Sequence, residues 1–443
     1  MWTDEEKWKQ KVESKNISVG VVGGGYVGLG IATLFARNGF IVTVYDIDRK
    51  KVELLKHGKN YILDENWLNS TVKESVKKGR LKASVDVKAA ATNDVIFIDV
   101  PSTTGKNFDP TSEFIVDICE KIGNKIKGGV LVIVESTVVL GETENTVKNI
   151  LEGKSGLRVG RDFGLAFSPE RIDPGNKIMK MWNIPKVVGG VDKLSTELTV
   201  YLFKKVIDDV VSVSNPRTAE FIKLMELSQR ATLIAHIFEM AKIAEEYGID
   251  IKEAIDAAKT KWNFIPMKSS CGVGGYCVTP SVKSIIKTLK HSGMDSKFFE
   301  TVKDIIEDMP RIVAKKTIEC LKNDNKNVKN SKIGILGITY KANIKDHRAS
   351  VVKDVVKTLR SFGIKRIIAY DPLCNQNNVD WVELTDLNEI YNCNYVIICV
   401  DHDEFRGKEF KEKLIKEAKK RNFKIIDPAN IFDAKIGKYP CIL

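Results

Sequence analysis

No apolar run in this 443-residue chain approaches the roughly 18 residues that a helix needs to cross a bilayer. The opening Met1-Trp2-Thr3-Asp4-Glu5-Glu6-Lys7 places acids where a signal peptide needs a basic and then an apolar stretch. A cytoplasmic protein without a membrane partner is expected. Cysteine is sparse, with eight residues at 119, 271, 277, 320, 374, 393, 399 and 441 and no CxxC pair. A chain this large does not depend on disulfides, so each is expected to be a buried, reduced thiol unless its surroundings argue otherwise. The five histidines, at 57, 236, 291, 347 and 402, are far apart and lack HExxH spacing, so no metal site is expected.

What the chain does carry is length, positive charge and alternating patterns. At 443 residues it exceeds one ordinary core and implies two or three domains. A formal charge of +12 fits an anionic partner, either nucleic acid or a phosphorylated small molecule. The lysines are spread out, and no basic stripe interleaved with aromatics is present. That pattern argues against nucleic acid.

After a polar lead over residues 1–15, residues 16–22 read as a buried strand. The next residues turn into a helix through Leu34-Phe35-Ala36-Arg37, and a second strand occupies 40–46. Further apolar strands at 95–98 and 130–134 alternate with helical patterns, which predicts a parallel, doubly wound sheet. A long helix is expected from Asn215-Pro216 to Tyr247-Gly248. Its apolar residues (Phe221, Leu224, Met225, Leu233, Ile234, Ile237, Phe238) lie on more than one face, so it should be packed all round, between domains or against a second subunit. Helical patterning runs to about residue 322 and a polar linker follows. Strands then return at 333–337, 366–372 and 395–400. The expected fold is α/β, with two Rossmann-like doubly wound lobes (16–212 and 331–443). A long central helix and helical middle domain (213–322) and a linker (323–330) join them.

Gly23-Gly24-Gly25-Tyr26-Val27-Gly28 fits GxGxxG between strand and helix. Gly23 allows the tight turn, Gly25 lets the backbone approach a pyrophosphate, and Gly28 lets helix pack closely on strand. The helix N-terminus offers free amides to the phosphates. Asp46 ends the next strand, where the ribose hydroxyls of a dinucleotide would lie, and it disfavours a 2′-phosphate. NAD is therefore expected as cofactor.

Other segments extend the pattern: Val100-Pro101-Ser102-Thr103, Glu135-Ser136-Thr137-Val138, Ser168-Pro169-Glu170-Arg171-Ile172-Asp173-Pro174-Gly175, Lys186-Val187-Val188-Gly189-Gly190, Ala219-Glu220 with Lys223, Gly272-Val273-Gly274-Gly275 with Cys277, and Gly337 through Tyr340-Lys341 to Arg348. In these the chain resembles the UDP-glucose/GDP-mannose dehydrogenases, most of all the branch that oxidises UDP-N-acetylglucosamine. The resemblance implies oxidation of C6 of a UDP-sugar from alcohol to carboxylate with two NAD⁺, feeding polysaccharide synthesis. It implies Cys277 as the nucleophile that forms a thiohemiacetal and then a thioester, work that suits a strongly nucleophilic thiolate. It implies Lys223 as the oxyanion stabiliser, Glu170 as the acid handling water, and Thr137 as a hydroxyl near both cofactor and reaction. Tyr26, Val27 and Pro101 would join the cofactor contacts. Phe264, Gly272, Gly274 and Gly275 would meet the sugar, and Lys341 and Arg348 would grip its phosphates. A homodimer is implied as well.

The chain also departs from that family. Leu227 stands where the family carries an asparagine aimed at the same oxyanion, and Ser281 where it carries an aspartate. Ser269, Ser270 and Cys271 replace a Pro-Gly-Pro run, Tyr276 a histidine, and Phe238 an asparagine. Two readings stay open: an active UDP-N-acetylhexosamine dehydrogenase, or a relative that binds NAD and a nucleotide sugar while its chemistry is weakened or altered.

Overall fold

Ser18–Val22 forms the first strand (β1) of the computed structural model, which describes residues 5–62, 65–105, 109–176, 178–375 and 379–432. Four of its five residues are buried, as expected for a strand covered on both faces. Around it lie β2 (Ile41–Tyr45), β3 (Leu81–Ser84), β4 (Val95–Ile98), β5 (Leu131–Val134), β6 (Gly164–Phe167), β7 (Lys186–Gly190) and β8 (Val210–Ser212). They make one eight-stranded sheet in the order β8-β7-β6-β5-β4-β1-β2-β3. All pairings are parallel except β6 with β7. The order reverses between β1 and β4, and in open α/β sheets ligands bind outside the carboxyl ends of the strands at such a switch point.

The polar lead holds a helix, Glu5–Glu13, that the sequence pattern did not announce. Trp8 and Val12, one helical turn apart, are buried in the cluster that also holds Phe35, Phe40 and Phe203.

The long helix spans Pro216–Glu246. Asn215 caps it, its side-chain oxygen accepting the Thr218 amide at 2.8 Å. Gly248, at φ +64°, ends it while the Ile249 amide reaches back to the Ala244 carbonyl. The expectation of all-round packing holds only in part within one chain. Leu224, Ile237 and Phe238 are buried, whereas Phe221 and Met225 are each 53% exposed.

By its internal contacts the chain divides into two units, 1–226 and 227–443. In the second, helices Val278–His291 and Lys297–Asn323 pack with the latter half of the long helix around Ala231, Phe238, Val282 and Met309. The helix to Asn323 covers the start of the expected linker. A five-stranded, all-parallel sheet follows, formed by β9 (Lys332–Leu336), β10 (Arg366–Tyr370), β11 (Glu383–Leu384), β12 (Tyr395–Ile398) and β13 (Lys424–Ile426) in the order β11-β10-β9-β12-β13. Two Rossmann-like lobes and a helical middle are thus present, as the sequence implied. Among the described residues no helix is long and apolar enough to cross a membrane. Cys119, Cys271, Cys374, Cys393 and Cys399 are free thiols wholly or partly buried, while Cys277 is free and exposed. Cys320 is buried, and Cys441 lies outside the described residues.

Candidate active site

The glycine turn at the exit of β1 is shaped by contacts that only glycine permits. Gly23 sits at φ +106°, and a Cβ there would meet the Asp99 carbonyl at 2.2 Å. A Cβ on Gly28 would meet the Gly23 carbonyl at 1.9 Å. Gly25, by contrast, opens on free space. It caps the helix Tyr26–Arg37 without any side-chain hydrogen bond, so no side chain of the cap occupies the first-turn amides. An uncapped helix end beside open backbone fits a pyrophosphate. Asp46 accepts the Gly24 amide and the Asp48 amide, each at 2.8 Å, and so braces the turn from the end of β2. Tyr26 bonds Glu65, Val27 is half-buried in the same first turn, and Pro101 is exposed beyond β4.

Beyond the carboxyl ends of β4 to β6 the structure gathers charge where the sequence reading had named only part of it. Glu170, which the resemblance implied as the acid handling water, is buried. One of its oxygens accepts the amides of Arg171 and Ile172, both at 2.8 Å, and the other lies 2.7 Å from the Lys186 ammonium. Lys186 in turn lies 2.6 Å from Glu135. Burial pushes Glu170 up, but Lys186 and Lys223 outweigh it and hold the carboxyl below the usual range. Burial would likewise lower Lys186, yet Glu135 and Glu170 keep it firmly protonated. The ammonium of Lys223, on the long helix, donates to the backbone carbonyl of Glu170. Thus Lys223 and Glu170 meet. Thr137 is half-buried just past β5. Glu220 is buried under the same loop and accepts the Thr143 amide at 3.0 Å.

In the second unit Cys277 caps the helix Val278–His291, an exposed sulfur beside first-turn amides that favour negative charge. The loop before it bends at Gly272 (φ +136°) and Gly275 (φ +92°). A Cβ on Gly274 would lie 2.7 Å from the Ala349 carbonyl, and one on Gly275 would lie 3.0 Å from the Tyr340 ring. Tyr276 donates to Asp346 at 3.2 Å, and Arg348 grips the same carboxylate in a fork of 3.0 and 2.7 Å. Lys341 occupies the turn after β9, its carbonyl accepting the Thr339 hydroxyl. Phe264 packs partly buried against Ile237, Ala241 and Ile255.

Comparison with known proteins decides the family. Residues 17–207 match the NAD binding domain, 217–307 the central domain and 334–434 the UDP binding domain of the UDP-glucose/GDP-mannose dehydrogenase family. The chain belongs to this family. It is 31% identical over 437 residues to a UDP-N-acetyl-D-mannosamine dehydrogenase of Methanocaldococcus jannaschii, covering 96% of each chain. It is 30% identical to a UDP-N-acetyl-D-glucosamine 6-dehydrogenase of Pseudomonas aeruginosa, over 89% of this chain and 92% of that one. A solved UDP-D-ManNAc dehydrogenase of Pyrococcus horikoshii superposes with a TM-score of 0.86 at 29% identity, covering 94% of this chain and 96% of that one.

Family membership makes NAD the cofactor and nucleotide-sugar oxidoreduction the class of chemistry, and it assigns UDP to the C-terminal lobe. The positions that the sequence reading set apart from the family lie as follows. Leu227 packs with Val278, Val282 and Ala231 in an apolar cluster, and Ser281 is buried one turn after Cys277. Phe238 is wholly buried in that cluster, a place where an asparagine would need hydrogen-bond partners. Sequence reading assigned no role to Glu135 and Lys186, passed over Asp346 as a clamp for Arg348, and did not notice Asp99. The available signal was a charged residue at the very end of an apolar strand, as in Val95-Ile96-Phe97-Ile98-Asp99 and Leu131-Val132-Ile133-Val134-Glu135.

Proposed function

We propose that this protein oxidises the C6 hydroxyl of a UDP-N-acetylhexosamine to the uronate through a thioester on Cys277, at a rate below that of its fully equipped relatives. The observation that carries the reading is the Lys223 ammonium held on the Glu170 carbonyl beside the Lys186 ion pairs. Nicotinamide, when bound, supplies the hydride acceptor. Lys223 stabilises the oxygen of C6 as its proton leaves, and again when the Cys277 sulfur adds to the aldehyde carbon and makes a new oxyanion. A single donor of this kind is worth on the order of 10²–10³ in rate. Loss of hydride from that adduct leaves the thioester, and water then releases the carboxylate and regenerates the thiol. Glu170, kept ionised, accepts a hydrogen bond from that water and orients it. Thr137 lines the cofactor side. Gly23, Gly25, Tyr26, Val27, Gly28, Asp46 and Pro101 hold NAD, and Phe264, Gly272, Gly274, Gly275, Lys341 and Arg348 hold the UDP-sugar. In this reading residues 16–212, 213–322 and 331–443 serve as cofactor, middle and nucleotide-sugar domains of a cytoplasmic enzyme.

A second reading, a binding-competent relative with little turnover, is favoured by Leu227, which offers no donor where the family's asparagine would. Incubation with UDP-GlcNAc or UDP-ManNAc and NAD⁺ separates the two. Two NADH per sugar support the full oxidation, and one supports arrest at the aldehyde. None, with calorimetric binding of both ligands, refutes the first reading in favour of the second. Phe221, Met225, Met240 and Ile243, exposed along the long helix, support a homodimer through that helix. A monomeric mass in analytical ultracentrifugation would remove that part.

A further inference from the structure

Asp99 follows β4 directly and lies beneath the glycine turn, its carbonyl against Gly23 and its Cβ against Gly28. Its carboxyl is buried, and neither oxygen receives an N–H or O–H from the described residues. β4 and β5 run parallel with Ile98 opposite Val134, so Glu135, the residue that follows β5, is its neighbour across the sheet, and Lys186 and Glu170 follow. Two carboxyls side by side without a donor between them can form a hydrogen bond in only one way, by sharing a proton. Charge leads to the same result. Among the described residues the ammonium paired with these carboxyls is Lys186, and it already serves Glu135 and Glu170. A third ionised acid would stand uncompensated under a turn built to receive a pyrophosphate.

We propose that Asp99 is a positioning residue of the oxidation site: it donates a retained proton to Glu135, and through Glu135 and Lys186 it fixes the charge and orientation of Glu170. The reasoning rests on the reading of Glu170 given above, and it concerns an acid that plays no part in that mechanism. With Asp99 neutral, Glu135 remains an anion whose demand on Lys186 is reduced, so Lys186 can hold Glu170 in its ionised form. Glu170 then keeps its two backbone amides on one oxygen and presents its carbonyl to Lys223. Burial first, and the neighbouring Glu135 second, push Asp99 well above the ordinary carboxyl range, in line with the geometry. The charged groups the structure sets about Asp99 are Glu135, Lys186 and Glu170, and Lys223 joins them at Glu170.

The test compares the intact wild-type chain with Asp99→Ala, which removes the donor, and Asp99→Asn. Asparagine is uncharged, keeps the shape of a protonated aspartate and can still donate to Glu135, so it is the conservative rescue. Infrared spectra in H₂O and D₂O should show a protonated buried carboxyl in the wild type, at neutral pH, that vanishes in both variants. This readout needs no turnover, so it decides the point even if the chain proves a poor dehydrogenase. Where turnover is measurable, Asp99→Ala should move the pH midpoint of kcat by about one pH unit or more, with KM for the UDP-sugar unchanged and Asp99→Asn closer to wild type. A carboxyl band identical in wild type and variants overturns the proposal, and so does an Asp99→Ala kcat profile that superimposes on the wild type.

Discussion

The Gly275 amide donates to the Ala349 carbonyl at 2.9 Å, which joins the loop leading into Cys277 to the segment that carries Arg348. A substitution in one strip should therefore be felt in the other. Gly275→Ala places a methyl at φ +92° against the Tyr340 ring, 3.0 Å away, at a cost of about 1–3 kcal/mol. We expect a lowered melting temperature and at least tenfold weaker UDP binding by calorimetry, with NADH binding unchanged. Equal loss of both ligands would point to general unfolding instead.

Leu227 and Ser281 offer the opposite experiment. Leu227→Asn returns a donor and should raise kcat by roughly ten- to a hundredfold. It also puts an amide among Val278, Val282 and Ala231, so the melting temperature should fall. A stability loss without any rate gain would mean that the missing asparagine does not limit turnover. Ser281→Asp, buried as it is, should help only when combined with Leu227→Asn.

Asp46 braces Gly24, and in the proposed reading it also holds the ribose. Asp46→Ala should weaken NADH binding at least tenfold while NADPH, weak in the wild type, gains relative to it. If the ratio of the two affinities stays fixed, the residue acts on the turn alone.

Asp427 provides a pH prediction. It follows β13, accepts the Phe432 amide at 2.9 Å, and is pushed up to about 7 by burial, a rise that backbone amides only partly offset. Between the ordinary carboxyl range and pH 7 the folded chain holds a proton that the unfolded chain has released. Stability tied to this group is therefore greatest in acid and is lost as pH rises to about 7, levelling off above it. Thermal melts from pH 4.5 to 8 should show that decline in the wild type and a shallower one in Asp427→Asn. Parallel curves would exclude Asp427 as its source.

How far the sequence could be read depended on what each residue answers to. The glycine turn was legible because three positions obey one local rule about backbone room. β1, β2, β4 and β5 were legible as continuous apolar runs. Glu170 was read as belonging to the site, but its burial was not, because that depends on β7 delivering Lys186 from sixteen residues away. Asp99 escaped notice entirely, since one acid at a strand end looks like the start of a loop until its neighbours are known. The helix Glu5–Glu13 escaped for a related reason. Its charged residues read as solvent-facing, and its two core residues, Trp8 and Val12, are too few to make a periodic signal.

That short helix bears on how the protein should be handled. The NAD binding domain of the family begins to match only at residue 17, so a trimmed version would be cut there by habit. Trp8 and Val12 would go with the discarded piece, and so would the Glu13 partner of Tyr201 and Lys205. A greasy scar beside Phe40 and Phe203 would then face water, and the shortened protein should clump on concentration while the untrimmed one stays in solution.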